Sequence, residues 1–130
     1  MMNRDREQYE NDTGTQHQQV YRVTVEETYV ILKEMAEKMK EMRIKDIYGV
    51  PRGGLVVAVM LSNMTGLPLT TRKISEHTLV VDDLVETGGT LSTYGRCKMM
   101  VMFAKQRIPH VHAMRHVSPD TWLEFFWEAE

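Results

Sequence analysis

The residues whose types and spacing most plainly suggest chemistry run from Val80 to Leu91, in the order Val-Val-Asp-Asp-Leu-Val-Glu-Thr-Gly-Gly-Thr-Leu. An apolar run here delivers two adjacent carboxylates, Asp82 and Asp83. Such a pair accepts hydrogen bonds from the vicinal hydroxyls of a ribose, or holds a divalent cation through water as hard oxygen ligands do. Thr87, Gly88, Gly89 and Thr90 follow. Small residues let backbone N–H groups approach an anion, threonine hydroxyls add donors, and a helix opening there would add the partial positive charge of its amino end. Phosphate and sugar recognition thus fall on one turn. A lone Thr-Gly-Gly-Thr would read as an ordinary turn, with the acids as helix caps. Paired acids on an apolar strand, Glu86 between them and the glycines, and a helix to follow make the cradle the better reading.

These residues need elements to position them. Thr24 followed three residues later by Glu27 has the spacing of a capping box, and regular structure is expected to begin there. Val25, Tyr29, Leu32, Met35, Ala36, Met39 and Met42 recur at three and four residues, which predicts an amphipathic helix. Ile47 to Val50 reads as a strand ending in the turn Pro51-Arg52-Gly53-Gly54. Leu55 to Met64 is apolar nearly all round, as a buried helix would be, and stops at Gly66 with Pro68 enforcing the exit. A second strand-helix unit is expected from Thr78 to Val81 and from about Thr90 to Lys98, with further strands at Met99 to Phe103 and Val111 to Met114. Strands alternating with helices predict an α/β fold with a mainly parallel sheet flanked by helices, whose ligands sit at the carboxyl ends of the strands. Both glycine-rich turns fall at such ends.

The chain has 130 residues and a formal charge of −2, from 16 Lys plus Arg against 18 Asp plus Glu. That length allows one domain with a real core. Residues 1–20 read as a polar arm without an apolar pattern, and 21–130 as the domain. A near-neutral chain lacks the basic footprint of a nucleic-acid binder, so no nucleic-acid partner is expected. No apolar run reaches the ~18 residues of a membrane span, and the first residues show no apolar signal stretch. One cysteine, Cys97, excludes an internal disulfide and fits a reducing compartment; a cytoplasmic location is expected. The 11 Met residues are expected mainly to fill core gaps.

Val80 to Thr90 resembles the 5-phosphoribosyl-1-pyrophosphate (PRPP) signature of type I phosphoribosyltransferases. Gly49 to Pro68 is similar to their pyrophosphate-loop strand and the helix after it. Phe103 to Lys105 and Asp120 to Glu128 are similar to the purine-binding end of the bacterial xanthine-guanine branch. The resemblance implies the compact fold of that family and transfer of phosphoribosyl from PRPP to guanine, xanthine or hypoxanthine. It implies Thr87, Gly88, Gly89 and Thr90 on the 5-phosphate, and Asp82 and Asp83 on the ribose hydroxyls with Mg²⁺. Pro51, Arg52, Gly53 and Gly54 would bind pyrophosphate, and Glu86 would stand near purine N7 as a general acid/base. Lys105 would donate to the 6-oxo group, Trp122 would stack on the base and Leu123 would offer its carbonyl to a 2-substituent. Glu124 or Glu128 would lie near that edge or the metal. Self-association as a dimer or tetramer is also implied.

One departure from the family stands out. Members carry a long mobile loop before the PRPP strand that closes over the site, whereas only Arg72 to His77 separate Thr71 from Thr78 here. Without that hood turnover is expected to be slow, or the lid must come from the amino-terminal arm or a neighbouring subunit. A regulatory protein that keeps the PRPP or nucleotide cradle without efficient turnover is the alternative. His110, His112 and His116 are expected to be solvent-facing or hydrogen-bonded rather than metal ligands. Trp127 is expected to pack.

Overall fold

The computed structural model describes residues 19–72, 74–89, 91–95 and 97–128. Four parallel strands form the central sheet in the order β2-β3-β4-β5: β2 is Asp46–Gly49, β3 Thr78–Val85, β4 Lys98–Ala104 and β5 Val111–His116. Leu69 adds a single parallel bridge to Ile47 on the outer edge of β2. A separate two-stranded parallel sheet joins β1 (Gln19–Val23) to β6 (Thr121–Phe125). Two helices, α1 (Val25–Met39) and α2 (Gly53–Thr65), complete the regular structure. The α/β architecture is the one expected, and neither helix is long and apolar enough to cross a membrane.

Helix α1 starts as its sequence dictates. Thr24 Oγ1 accepts the Glu27 N–H at 3.0 Å, relieving one of the orphan donors of the first turn. Its buried stripe, however, is Thr28, Ile31, Leu32, Met35 and Met39, while Val25 and Tyr29 are half-exposed. Thr28 conceals the true face: its hydroxyl has the character of polar surface, but it donates to Thr24 O at 2.8 Å and so can be buried. Helix α2 begins at Gly53, where the Gly54 N–H reaches Val50 O at 2.8 Å, and it ends on Gly66 at φ 81°. It is not buried all round, since Leu55 and Val59 face outward while Val57, Ala58 and Leu61 face the sheet.

Both helices lie on one face of the sheet, against Leu79, Val81, Met100 and Met102. Met35, Met100 and Met102 are fully buried there, as expected of core gap-fillers. The opposite face carries Val80, Met99 and Val101, covered by Tyr48, Ile74, Tyr94 and Ile108. The helix expected from about Thr90 to Lys98 is not formed. Only a 3₁₀ turn, Leu91–Tyr94, stands there, closed by Gly95 at φ 63° before β4 begins at Lys98. A left-handed glycine this soon leaves no room for an α-helix. Cys97 is therefore in the approach to β4, buried, with its thiol donating to Ser75 O.

Strand β3 is longer than Thr78 to Val81, because its pairing with β4 continues through Asp82↔Val101 and Leu84↔Phe103. The acids thus belong to the strand itself. Regular structure also begins earlier than Thr24, with β1. That small sheet leans on the carboxyl end of β4: the Phe103 ring meets Tyr21 at 6.2 Å and Phe125 at 5.9 Å, both edge-on. Trp127 stacks on Phe125 at 4.8 Å, the packing role expected of it.

Candidate functional site

Three connections meet at the carboxyl ends of β2, β3 and β4. The first leaves β2 at Gly49, and the Val50 N–H donates to Val81 O at 3.0 Å, tying it to the neighbouring strand. The Pro51–Arg52 peptide is cis, and both residues are exposed at the rim. The glycines beyond them allow a close approach. A Cβ on Gly54 would stand 2.6 Å from Val81 O, and one on Gly53 would stand 1.9 Å from Asp83 Oδ2. The Pro51-Arg52-Gly53-Gly54 turn is therefore laid directly on the acids of β3.

Those acids are held tightly together. The Asp83 N–H donates to Asp82 Oδ1 at 2.8 Å. Burial, then the hydrogen bond and charge of Asp83, push the Asp82 carboxyl up to about 8. Burial raises Asp83 as well, opposed by its hydrogen bond with Asp82. Two carboxyls that cannot both ionise comfortably share a proton until something positive replaces it. Tyr94, whose ring meets Tyr48 at 5.5 Å, is raised by burial, by Tyr48 and by the charge of Asp82.

Beyond Val85 the chain opens a cleft of about 270 Å³ lined by Asp82, Leu84, Val85, Glu86, Thr87, Gly88 and Gly89. Gly88 sits at φ 83°, and a Cβ there would lie 2.6 Å from Ile108 Cδ1. Ile108 is thus the wall of the turn. Gln106 Nε2 donates to Glu86 O at 2.7 Å, fixing the start of the turn. Sequence reasoning misses both Gln106 and Ile108, since an amide and an aliphatic side chain carry no chemical signature at those positions. Thr90 lies outside the described residues. The helix dipole expected to reinforce the cradle is absent, because the chain continues into a single 3₁₀ turn; attraction for an anion falls to backbone amides and the Thr87 hydroxyl.

The third connection leaves β4. The Lys105 N–H donates to Val85 O at 3.0 Å, and Lys105 Nζ lies 3.8 Å from Glu86 Oε2. Two candidates far apart in sequence are thus adjacent, the lysine mostly buried and the glutamate open to solvent. The remaining candidates are on or beside β6. Trp122 is 38% exposed, Leu123 is buried, and Glu124 Oε1 lies 3.5 Å from Arg22 Nε. Glu128 Oε1 accepts the Phe125 N–H at 3.0 Å. Among the described residues no three potential ligands cluster for a metal, so Glu128 does not join Asp82 and Asp83.

The connection before β3 is as short as its sequence, and it is fastened down. Thr78 Oγ1 accepts the Ser75 N–H at 2.9 Å, and the Lys45 N–H donates to His77 O at 2.8 Å.

No family model matches the sequence. Solved structures do. A purine phosphoribosyltransferase from Pyrococcus horikoshii superimposes with a TM-score of 0.72 at 23% identity, over 85% of this chain and 95% of that one. The fold is that of the type I phosphoribosyltransferases. A xanthine-guanine-hypoxanthine phosphoribosyltransferase from Helicobacter pylori gives a TM-score of 0.73 at 18% identity, over 87% and 95% of the two chains. A hypothetical protein from Neisseria gonorrhoeae with bound ppGpp gives 0.71 at 16% identity, over 88% and 92%. At these identities the likeness is one of fold, and the phosphoribosyltransferase fold here carries its three loops at one end of the sheet.

Proposed function

We propose that the protein transfers the 5-phosphoribosyl group of PRPP to a 6-oxopurine, giving the nucleoside monophosphate and pyrophosphate in purine salvage. The observation that carries this reading is the contact of Gly53 with Asp83. It joins a turn suited to pyrophosphate to acids suited to the ribose hydroxyls, which are the two groups flanking the bond that breaks.

The turn of Thr87, Gly88, Gly89 and Thr90 holds the 5-phosphate, chiefly through backbone N–H groups. Asp82 and Asp83 accept from the ribose hydroxyls. The same pair fits Mg²⁺: two buried carboxyls that retain a shared proton up to about pH 8 are poised to exchange it for a hard cation. When bound, that ion supplies charge neutralisation of the departing pyrophosphate. Arg52 belongs to the pyrophosphate turn Pro51-Arg52-Gly53-Gly54, and its planar fork suits phosphate oxygens.

Lys105 donates to the purine 6-oxo oxygen while Glu86, 3.8 Å from it, exchanges a proton at N7. Trp122 stacks on the base, Leu123 offers its carbonyl and Glu124 lies at the 2-substituent edge. As the bond from C1 to pyrophosphate breaks, the ribose gains oxocarbenium character, a purine ring nitrogen bonds to C1, and pyrophosphate leaves with the electron pair. Incubation with PRPP, Mg²⁺ and each of guanine, xanthine and hypoxanthine tests the proposal. A nucleotide from at least one base supports it, and none from any base refutes it.

A second reading is a PRPP- or nucleotide-binding regulatory protein. The shortness of the connection before β3, tied at Ser75 and His77, favours it, because the sequence encodes no long loop there to close over the site and shield it from water. The Neisseria protein of similar fold was solved with bound ppGpp. Binding of PRPP or a nucleotide without product distinguishes this reading.

A further inference from the structure

A second concavity lies at the opposite end of the sheet. It measures about 640 Å³ and opens between the carboxyl end of α1 and the amino ends of β4 and β5. Met42, Cys97 and Met99 give it an apolar floor. Its rim is basic: Lys38, Lys98, His110 and His112 stand around it, against the single acid Glu41. Lys38, Lys98 and both histidines are exposed, and among the described residues neither lysine is held in an ion pair.

Three features separate this concavity from an ordinary surface dent. Its volume is within the roughly 300–1,000 Å³ of small-molecule sites. Its charge is opposite to that of the whole chain, which is formally −2. His110 is held at φ 70°, and it is the only described residue other than glycine with a positive φ. It is the third residue of the turn Ile108-Pro109-His110-Val111, a position where a positive φ is usual after proline, and that turn sets the histidine at the rim. The loop of Ile108 to Val111, closed by the Val111 N–H on Ile108 O at 3.2 Å, brings His110 to the rim.

We propose that this concavity is a second binding site, for a small organic anion with a flat apolar body: the body rests on Met42 and Met99 and the anionic group meets Lys38 and Lys98. Strand β4 begins here at Lys98 and ends at Ala104, beside Lys105, so the two sites lie about 20 Å apart at either end of one buried strand. They do not overlap, and occupancy of one leaves the other open.

The test uses 1-anilinonaphthalene-8-sulfonate, a fluorescent aromatic anion, and its uncharged relative N-phenyl-1-naphthylamine. The sulfonate is expected to bind saturably at one site, at least about tenfold more tightly than the amine, as expected where charge contributes to recognition. Lys38→Glu with Lys98→Glu is expected to weaken sulfonate binding by about tenfold or more, and Lys38→Arg with Lys98→Arg to retain it. Both lysines are exposed, so melting temperature should stay within a few degrees and serves as the folding control. PRPP with Mg²⁺ should not displace the dye, and Gly88→Val should not affect it. Dye affinity unchanged by the charge reversals, equal affinity for the amine, or displacement by PRPP overturns the proposal.

Discussion

Gly53 and Asp83 are in such close contact that a methyl group on the glycine would stand 1.9 Å from the carboxylate oxygen. The residues are 30 positions apart in the chain, yet they join the turn after β2 to the end of β3. With no side chain on Gly53, the turn can lie against the carboxylate.

Gly53→Ala therefore forces Asp83 out of position. We expect affinity for PRPP with Mg²⁺ to fall about tenfold or more, equivalent to about 1.4 kcal/mol, and stability to fall by ~1–3 kcal/mol from overpacking. Calorimetric titration beside a denaturant melt checks both. Retained affinity in a destabilised protein would separate the glycine from the ligand site.

The shared proton of Asp82 and Asp83 predicts an unusual pH response. The Asp82 carboxyl titrates near 8 in the folded chain, against 3.8 ordinarily, so the folded state binds the proton more tightly than the unfolded state. Its favourable contribution is fully present below about pH 4 and is lost as pH rises through about 8. Metal-free protein should melt at lower temperature at pH 9 than at pH 6. Asp82→Asn should flatten that slope and raise the melting temperature at pH 9. A slope as steep in the variant as in the parent would assign it to other groups.

PRPP binding with Mg²⁺ should run the other way. The cation takes the place of the proton, so affinity should rise between pH 6 and pH 8 and binding should release a proton. Titration in two buffers of different ionisation enthalpy measures that release. No proton release at pH 7 would contradict the shared proton.

Gly88→Val places a β-branched side chain at φ 83° and against Ile108. Binding of PRPP should become undetectable, because the turn can no longer present its N–H groups to the 5-phosphate. Unchanged affinity would refute the cradle.

Trp122→Ala should weaken the purine or the nucleotide by ~1–3 kcal/mol, the scale of base stacking on an aromatic ring. PRPP affinity should be unaffected. A change confined to melting temperature would assign the half-exposed ring to packing alone.

The legible parts of this chain are those where one residue type has one use. Parallel strands buried on both faces show as apolar runs, so β3 and β4 can be placed to within a few residues. Thr87, Gly88 and Gly89 after Asp82 and Asp83 announce a phosphate and sugar site, and the site cleft includes Asp82 and all three of these turn residues. The small sheet is hidden: β1 has only Val23 buried, so Gln19 and Val20 fall in the polar arm and Tyr21 and Arg22 show no strand pattern. The helix expected after the cradle fails at Gly95, whose left-handed backbone ends the turn, a conformation that residue type alone does not fix. Gln106 and Ile108 act through a hydrogen bond and a contact to residues about 20 positions away, and residue type does not encode such a partnership.

Asp82, Asp83 and the two glycine-rich turns are proposed to hold PRPP for attack by a 6-oxopurine. Release of pyrophosphate from PRPP and Mg²⁺, with nucleotide quantified in the same samples, tests this for guanine, xanthine and hypoxanthine. Equimolar pyrophosphate and nucleoside monophosphate are predicted with at least one base, together with loss of both in the Asp82→Asn, Asp83→Asn double variant. Pyrophosphate without nucleotide, or neither product with any of the three bases, would contradict it.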